Sequence, residues 1–190
     1  EIYDSGTKLC YENTLMLENA SPRYFVANGS KGFISAWNLE SILVIDLSTL
    51  SVIDTINTPG RPEDLIINDN ILYTSILYTS TWSDTNLVIA ISLNNNEIIS
   101  EYSVVDGPQV LEIHNDQLYV SGSVAATYTS NNTGISRIDL NTGDIITLKN
   151  AENTNIKNDL SFINGNLFRT MSDGLTPVRD DLSLNIENTI

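Results

Sequence analysis

Residues 42–56 read Ile42-Leu43-Val44-Ile45-Asp46-Leu47-Ser48-Thr49-Leu50-Ser51-Val52-Ile53-Asp54-Thr55-Ile56: an apolar run, a short polar turn, and a second alternating run. Apolar alternation interrupted by a turn is the pattern of two antiparallel strands. The phrase returns at 87–102, with Ile91-Ser92-Leu93 in place of Ile45-Asp46-Leu47, and at 135–148, with Ile138-Asp139-Leu140. A weaker copy, Leu182-Ser183-Leu184, precedes 186–190. Aligned on Asp46, Ser92, Asp139 and Ser183, the copies step by 46, 47 and 44 residues. No stretch holds a helical period, so almost no helix is expected. A period near 45 residues built only of short strands points to an all-β protein, a β-propeller of four-stranded antiparallel blades.

Each period divides into strands a to d, with blades expected at about 12–57, 63–103, 109–149 and 158–190 of one domain spanning 1–190. Strand a is a short apolar run (15–17, 65–67, 110–113, 160–163), and strand b follows a polar turn (24–27, 72–75, 118–121, 167–170). Strand b carries an aromatic at Phe25, Tyr73, Tyr119 and Phe168, a stripe expected to pack between neighbouring sheets. Strands c and d are the opening phrase and its copies, joined by turns such as Asn141-Thr142-Gly143. Loops 58–62 and 106–108 carry prolines where no ladder donor is needed. The pentapeptide Ile71-Leu72-Tyr73-Thr74-Ser75 is repeated at once as Ile76 to Ser80, and the second copy either lengthens strand b or begins the next loop. Four periods, the last incomplete, suggest about four blades of a larger ring, since propellers close when the last sheet meets the first.

The chain has 190 residues, 41% hydrophobic and 17% charged, which suits a packed domain. Nine basic against 24 acidic residues leave a net charge of -15, which repels phosphate backbones and anionic membranes. Nucleic acid is therefore not expected as a partner. Cys10 stands alone, so neither an intrachain disulfide nor a cysteine-rich metal site can form. No apolar run approaches the about 18 residues of a membrane span. The chain begins at Glu1 without a visible signal peptide and ends in a strand-like run, which reads as a processed or partial product. Asn19, Asn28 and Asn131 head glycosylation-like triplets in an Asn-rich chain.

In a propeller the b–c and d–a connections emerge at one end and the a–b and c–d turns at the other. The b–c segments read as long: 28–41, 76–86, 122–134 and 171–180. Trp37, Trp82 and Tyr128 fall in the first three at steps of 45 and 46, which sets three large aromatics at equivalent places on one face. Such rings suit stacking against sugars, planar macrocycles or a partner protein, or they fold back over their own blades. Arg61, in a d–a loop, and Arg179 are expected to add anion contacts there. His114, the only histidine, sits in an a–b turn at the far end, a poor place for a general base. With one His and one Cys there is no zinc set, and no Ser–His–Asp order is present. Asp46 and Asp139, at the end of strand c, are read as acceptors for the following turn. The expectation is accordingly a binding module rather than an enzyme, with no catalytic residues, metal or cofactor. A structural component of a surface assembly is the alternative, and a propeller lyase or quinoprotein-like enzyme the third reading.

Phe25-Val26-Ala27-Asn28 followed by Leu43-Val44-Ile45-Asp46-Leu47 resembles the Tyr-Val-Thr-Asn repeat with its Val-Ile-Asp strand. So does Leu118-Tyr119-Val120-Ser121 followed by Ser136-Arg137-Ile138-Asp139-Leu140-Asn141-Thr142-Gly143. The chain thus resembles YVTN-type propellers of the outer surface of Bacteroidetes-like bacteria, a group that includes cobalamin-capturing surface lipoproteins. That resemblance implies a ring of about seven blades. It also implies an extracellular, outer-membrane-associated capture role and an outer-membrane TonB-dependent transporter as a possible partner.

Overall fold

The computed structural model describes residues 15–122, 134–149, 159–171 and 174–190. The first sheet is a meander of β1 (Pro22–Asn28), β2 (Lys31–Ala36), β3 (Ser41–Asp46) and β4 (Ser51–Asn57). The second has β5 (Arg61–Asn68), β6 (Ile71–Tyr78), β7 (Asp84–Ser92) and β8 (Glu97–Ser103). The third has β9 (Pro108–His114), β10 (Gln117–Gly122), β11 (Gly134–Asp139) and β12 (Ile145–Lys149). The fourth has β13 (Leu160–Ile163), β14 (Asn166–Met171) and β15 (Gly174–Pro177), with the backbone of Ile190 bonded both ways to Leu175 where a fourth strand would end. All pairs are antiparallel, and the described residues outside strands form only turns, bridges and two 3-10 turns.

The a–b turns are two residues each, and their chemistry explains their tightness. Gly29, Asp69, Asn115, Asp116, Asn164 and Gly165 all have positive φ, the backbone that two-residue hairpins demand and that Gly, Asn and Asp tolerate. The c–d turns are closed by a carboxylate. Asp46 Oδ1 accepts the N–H groups of Ser48 and Thr49, and Asp139 Oδ1 those of Asn141 and Thr142. These bonds hold both carboxyls below the usual aspartate range; for Asp46 the Ser48 hydroxyl contributes most, for Asp139 the Gln117 amide.

Strand a of each sheet touches strand a of the next, β1 on β5, β5 on β9 and β9 on β13, so the four sheets radiate from one side. Between them lie apolar seams. Phe33, Ile42 and Val44 of the first sheet meet Leu65, Leu72 and Ile89 of the second. Tyr73, Val88 and Ala90 meet Leu111, Leu118 and Val120 at the next seam. Ile135 and Tyr119 meet Leu160 and Leu167 at the third. Strands β4, β8 and β12 are mostly exposed, as outermost strands must be. Two serines latch successive sheets. Ser35 Oγ accepts the Tyr24 N–H at 2.9 Å and donates to Glu63 O at 2.7 Å. Ser75 Oγ does the same one sheet on, accepting the Asp64 N–H at 3.1 Å and donating to Gln109 O at 3.3 Å. The chain is therefore an all-β, partial β-propeller.

Three strand assignments differ from the sequence reading. In the first sheet, 24–27 lies in strand a, β1, and strand b is β2, inside the stretch read as a loop. The stripe residue of that sheet is Phe33, in register with Tyr73, Tyr119 and Phe168, and not Phe25. Gly32 hid the strand: a side chain there would meet the Phe25 ring 2.6 Å away, so glycine is the residue that packing allows. Residues 15–17 are not a strand; Leu15 and Leu17 lie with Ala20 against Leu43 and Ile45, on the face of the first sheet turned away from the second. In the fourth sheet strand c is β15, and Ser183 falls on the far arm of the turn that follows, Val178 bridging Leu184. The duplicated pentapeptide resolves simply: Ile76–Tyr78 extends β6, and Thr79 and Ser80 begin the turn.

Candidate functional site

The b–c segments are shorter than the sequence suggested. Only 37–40 separates β2 from β3 and only 79–83 separates β6 from β7, because strands fill the rest. Trp37 opens a 3-10 turn, Trp37–Leu39, whose N–H groups reach Ser21 O and Ala20 O at 3.2 and 3.1 Å. Trp82 sits in the five-residue turn closed by Thr79 N–H to Ser83 O at 2.8 Å. Both tryptophans are at the same end of the sheets. They do not stand apart as separate posts: their ring centroids are 5.6 Å apart, and Tyr78 at the end of β6 completes a triangle at 5.4 and 5.8 Å. The cluster bridges the mouth of the seam between the first and second sheets.

Two guanidiniums brace it. Arg23 of β1 lies 4.7 Å from the Trp37 centroid and is held by Glu63 at 2.8 Å. Arg61, first residue of β5 and almost buried, lies 3.9 Å from the Trp82 centroid. Its Nη1 donates to Trp37 O at 3.1 Å, and Glu40 is 3.8 Å away. The Ser80 hydroxyl donates to the same Glu40 carboxylate at 2.8 Å. A cation against an indole face is held by the ring quadrupole, and more firmly where water is excluded. Trp82 is nonetheless 48% exposed, on a backbone with φ +66°, a left-handed conformation that costs a bulky residue free energy.

Tyr128 lies outside the described residues. Arg179 is not at this end. It follows β15 in a c–d turn, so it belongs to the opposite face, and the expected anion contact beside Trp37 and Trp82 does not include it. The misplacement follows from the shifted strand c of the fourth sheet. His114 ends β9 at that opposite face, stacked on Phe162 with centroids 4.2 Å apart.

The sequence reading missed Arg23, Glu63 and Tyr78. Arg23 and Glu63 sit one strand inward of where polar positions attract notice, and Tyr78 belongs to the duplicated pentapeptide. It also missed Asp64, buried among the inner strands. Asp64 Oδ1 accepts the Leu65 N–H and Oδ2 the Leu111 N–H, each at 2.8 Å, which joins the second sheet to the third. Desolvation pushes its carboxyl up to about 7, against the pull of those two bonds. Arg169 is wholly buried in β14 and donates to Gly122 O at 2.9 Å; burial brings its pKa down to about 10.

No protein-family model matches the chain, and no curated protein matches it either. Solved structures do. Virginiamycin B lyase from Staphylococcus aureus superposes with TM-score 0.69 at 14% identity, covering 88% of this chain and 55% of that one. Dihydro-heme d1 dehydrogenase NirN gives 0.68 at 14% identity, covering 95% and 40%. BamB from Moraxella catarrhalis gives 0.63 at 11% identity, covering 94% and 52%. The chain thus spans about half the length of these proteins or less. At such identities the likeness is one of fold. The expectation that the chain is not an enzyme is corrected by the same finding: a lyase and a dehydrogenase share this fold, so the ring gives no ground for excluding catalysis.

Proposed function

We propose that this chain is a binding module whose contact surface is the b–c end of the first two sheets, centred on Trp82 and braced by Trp37, Tyr78, Arg61 and Arg23. The observation that carries the reading is Trp82: a half-exposed indole on a left-handed backbone, backed by a guanidinium at 3.9 Å. Strain of that kind persists only where the surroundings hold it, and it clusters where a residue must present itself. A rigid indole with a cation behind it suits a flat partner: a sugar face, a planar macrocycle or an aromatic residue of another protein. On the resemblance to surface YVTN-type propellers, the module acts outside the cell, capturing a ligand for a partner such as an outer-membrane transporter.

Titration of tryptophan fluorescence tests the reading, with cyanocobalamin and a panel of soluble oligosaccharides as probes. Saturable quenching by one probe, lost in Trp82→Ala while the fold persists by circular dichroism, supports capture. If no probe saturates and Trp82→Ala changes only which protein co-purifies, the surface serves a scaffold. If Trp82→Ala changes neither, the site is wrong.

A further inference from the structure

At the opposite end, between the third and fourth sheets, lies a cavity of about 230 Å³. Its walls include His114, Tyr119, Arg137, Phe162, Arg179 and Asp180. Phe162 lies between the stacked His114 ring and the Tyr119 ring, which meets it edge-on at 5.3 Å, so part of the wall is aromatic and apolar. Arg137 comes from β11 of one sheet and Arg179 from the turn after β15 of the next.

Both guanidiniums are pinned by neutral acceptors. Arg179 donates to Ser183 Oγ, Leu184 O and Asn185 Oδ1 at 3.4, 3.2 and 2.9 Å. Arg137 donates to Asp180 O at 3.3 Å. Among the described residues neither forms an ion pair, whereas Arg23, Arg61 and Lys149 each do. In a chain with 24 acidic and nine basic residues, two arginines lining one cavity with no ion pair to either need a reason. Each arginine feels one aspartate electrostatically, Arg137 the charge of Asp139 and Arg179 that of Asp181, but both carboxylates take their hydrogen bonds from other groups and neither forms an ion pair with its arginine. Asp139 accepts from Asn141, Thr142 and Gln117, and Asp181 accepts from Ser183. A guanidinium has five N–H donors, so both arginines keep donors for a ligand.

We propose that this cavity binds a small organic carboxylate, its charge between Arg137 and Arg179 and its apolar body against Phe162 and Tyr119. The fork geometry of arginine matches a carboxylate. The volume is below that of drug-sized pockets and limits the ligand to roughly ten non-hydrogen atoms. The rings of Phe162 and Tyr119 offer contact to an apolar body that phosphate lacks, which favours a carboxylate with such a body over phosphate. This site is independent of the Trp82 surface, and its test separates the two.

Calorimetric titration of the whole chain with benzoate, acetate and inorganic phosphate is the experiment. Benzoate is expected to bind saturably and more tightly than acetate or phosphate. Arg137→Gln and Arg179→Gln should each weaken it about tenfold or more, and Trp82→Ala should leave it unchanged. Because Arg179 also holds its own turn, Arg137→Lys provides a second check: it keeps the charge, loses the fork, and should weaken benzoate by a smaller factor. Absence of saturable benzoate binding, phosphate binding more tightly than benzoate, or affinity indifferent to Arg137 would each overturn the assignment.

Discussion

The guanidinium of Arg61 lies 3.9 Å from the ring centroid of Trp82, while its Nη1 holds the carbonyl of Trp37 at 3.1 Å. One side chain at the start of the second sheet thus fixes a ring of its own sheet and a turn of the first. Arg61→Ala should lower unfolding free energy by about 1–3 kcal/mol, from the lost cation–π contact and buried hydrogen bond. Arg61→Lys should recover only part of this, because an ammonium cannot stack and fork at once. Urea unfolding read by tryptophan emission measures both.

The serine latches make a second claim. Ser75→Ala strands the buried Asp64 N–H and removes a donor from Gln109 O, and should cost about 1–3 kcal/mol. Ser35→Ala should cost a similar amount at the first seam. Both latches hold the one Glu63–Asp64 peptide group, Ser35 at its carbonyl and Ser75 at its N–H, so the double variant should depart from additivity by about 0.5 kcal/mol or more. Either substitution being neutral in chemical denaturation would remove the latch from the account.

Asp64 sets a pH dependence whose sign can be worked out. Its carboxyl titrates at about 7 when folded and near the ordinary 3.8 when unfolded. Between those values the folded chain binds more protons, so stability is highest below the window and falls as pH rises through it. A shift of this size amounts to at most about 4 kcal/mol. The partly buried Asp84 and Glu112 carboxyls, also raised by desolvation, add the same sign. Asp64→Asn should flatten the fall of melting temperature between about pH 4 and 7. An unchanged slope in that variant would show that Asp64 is not the group responsible.

Register gives a sharp contrast between two phenylalanines of one sheet. Phe33 is 1% exposed in the first seam and Phe25 is 55% exposed on β1. Phe33→Ala should cost about 3–5 kcal/mol. Phe25→Ala should cost about 1 kcal/mol or less. Thermal or urea unfolding of the two variants distinguishes this register from one in which residues 24–27 form strand b.

What was legible in the sequence was whatever the period imposes. The step from Asp46 to Ser92 to Asp139 marks one structural position because each residue ends strand c and feeds the same turn. The stripe of Tyr73, Tyr119 and Phe168 is visible because inter-sheet packing asks for a large ring at one place in each strand b. The first sheet broke the rule with Gly32, where packing against Phe25 leaves no room for a side chain, so an interior strand passed for a loop. Trp37 and Trp82 were placed at the right end by spacing alone. Their mutual contact, and the arginines behind them, depend on how two sheets converge, which a repeat length does not encode. Arg179 went to the wrong end because the last period has no strong strand c; β15 is four residues with little apolar character.

The central claim is that consecutive repeats converge so that Trp37 and Trp82 meet, 5.6 Å apart, at one end of the seam. Two indoles at that separation couple their electronic transitions and give a paired positive and negative band in circular dichroism. The account predicts such a couplet in the intact chain, its loss in both Trp37→Phe and Trp82→Phe, and persistence of the underlying β-sheet spectrum in each. A spectrum without the couplet, or one that survives removal of either tryptophan, would contradict the arrangement.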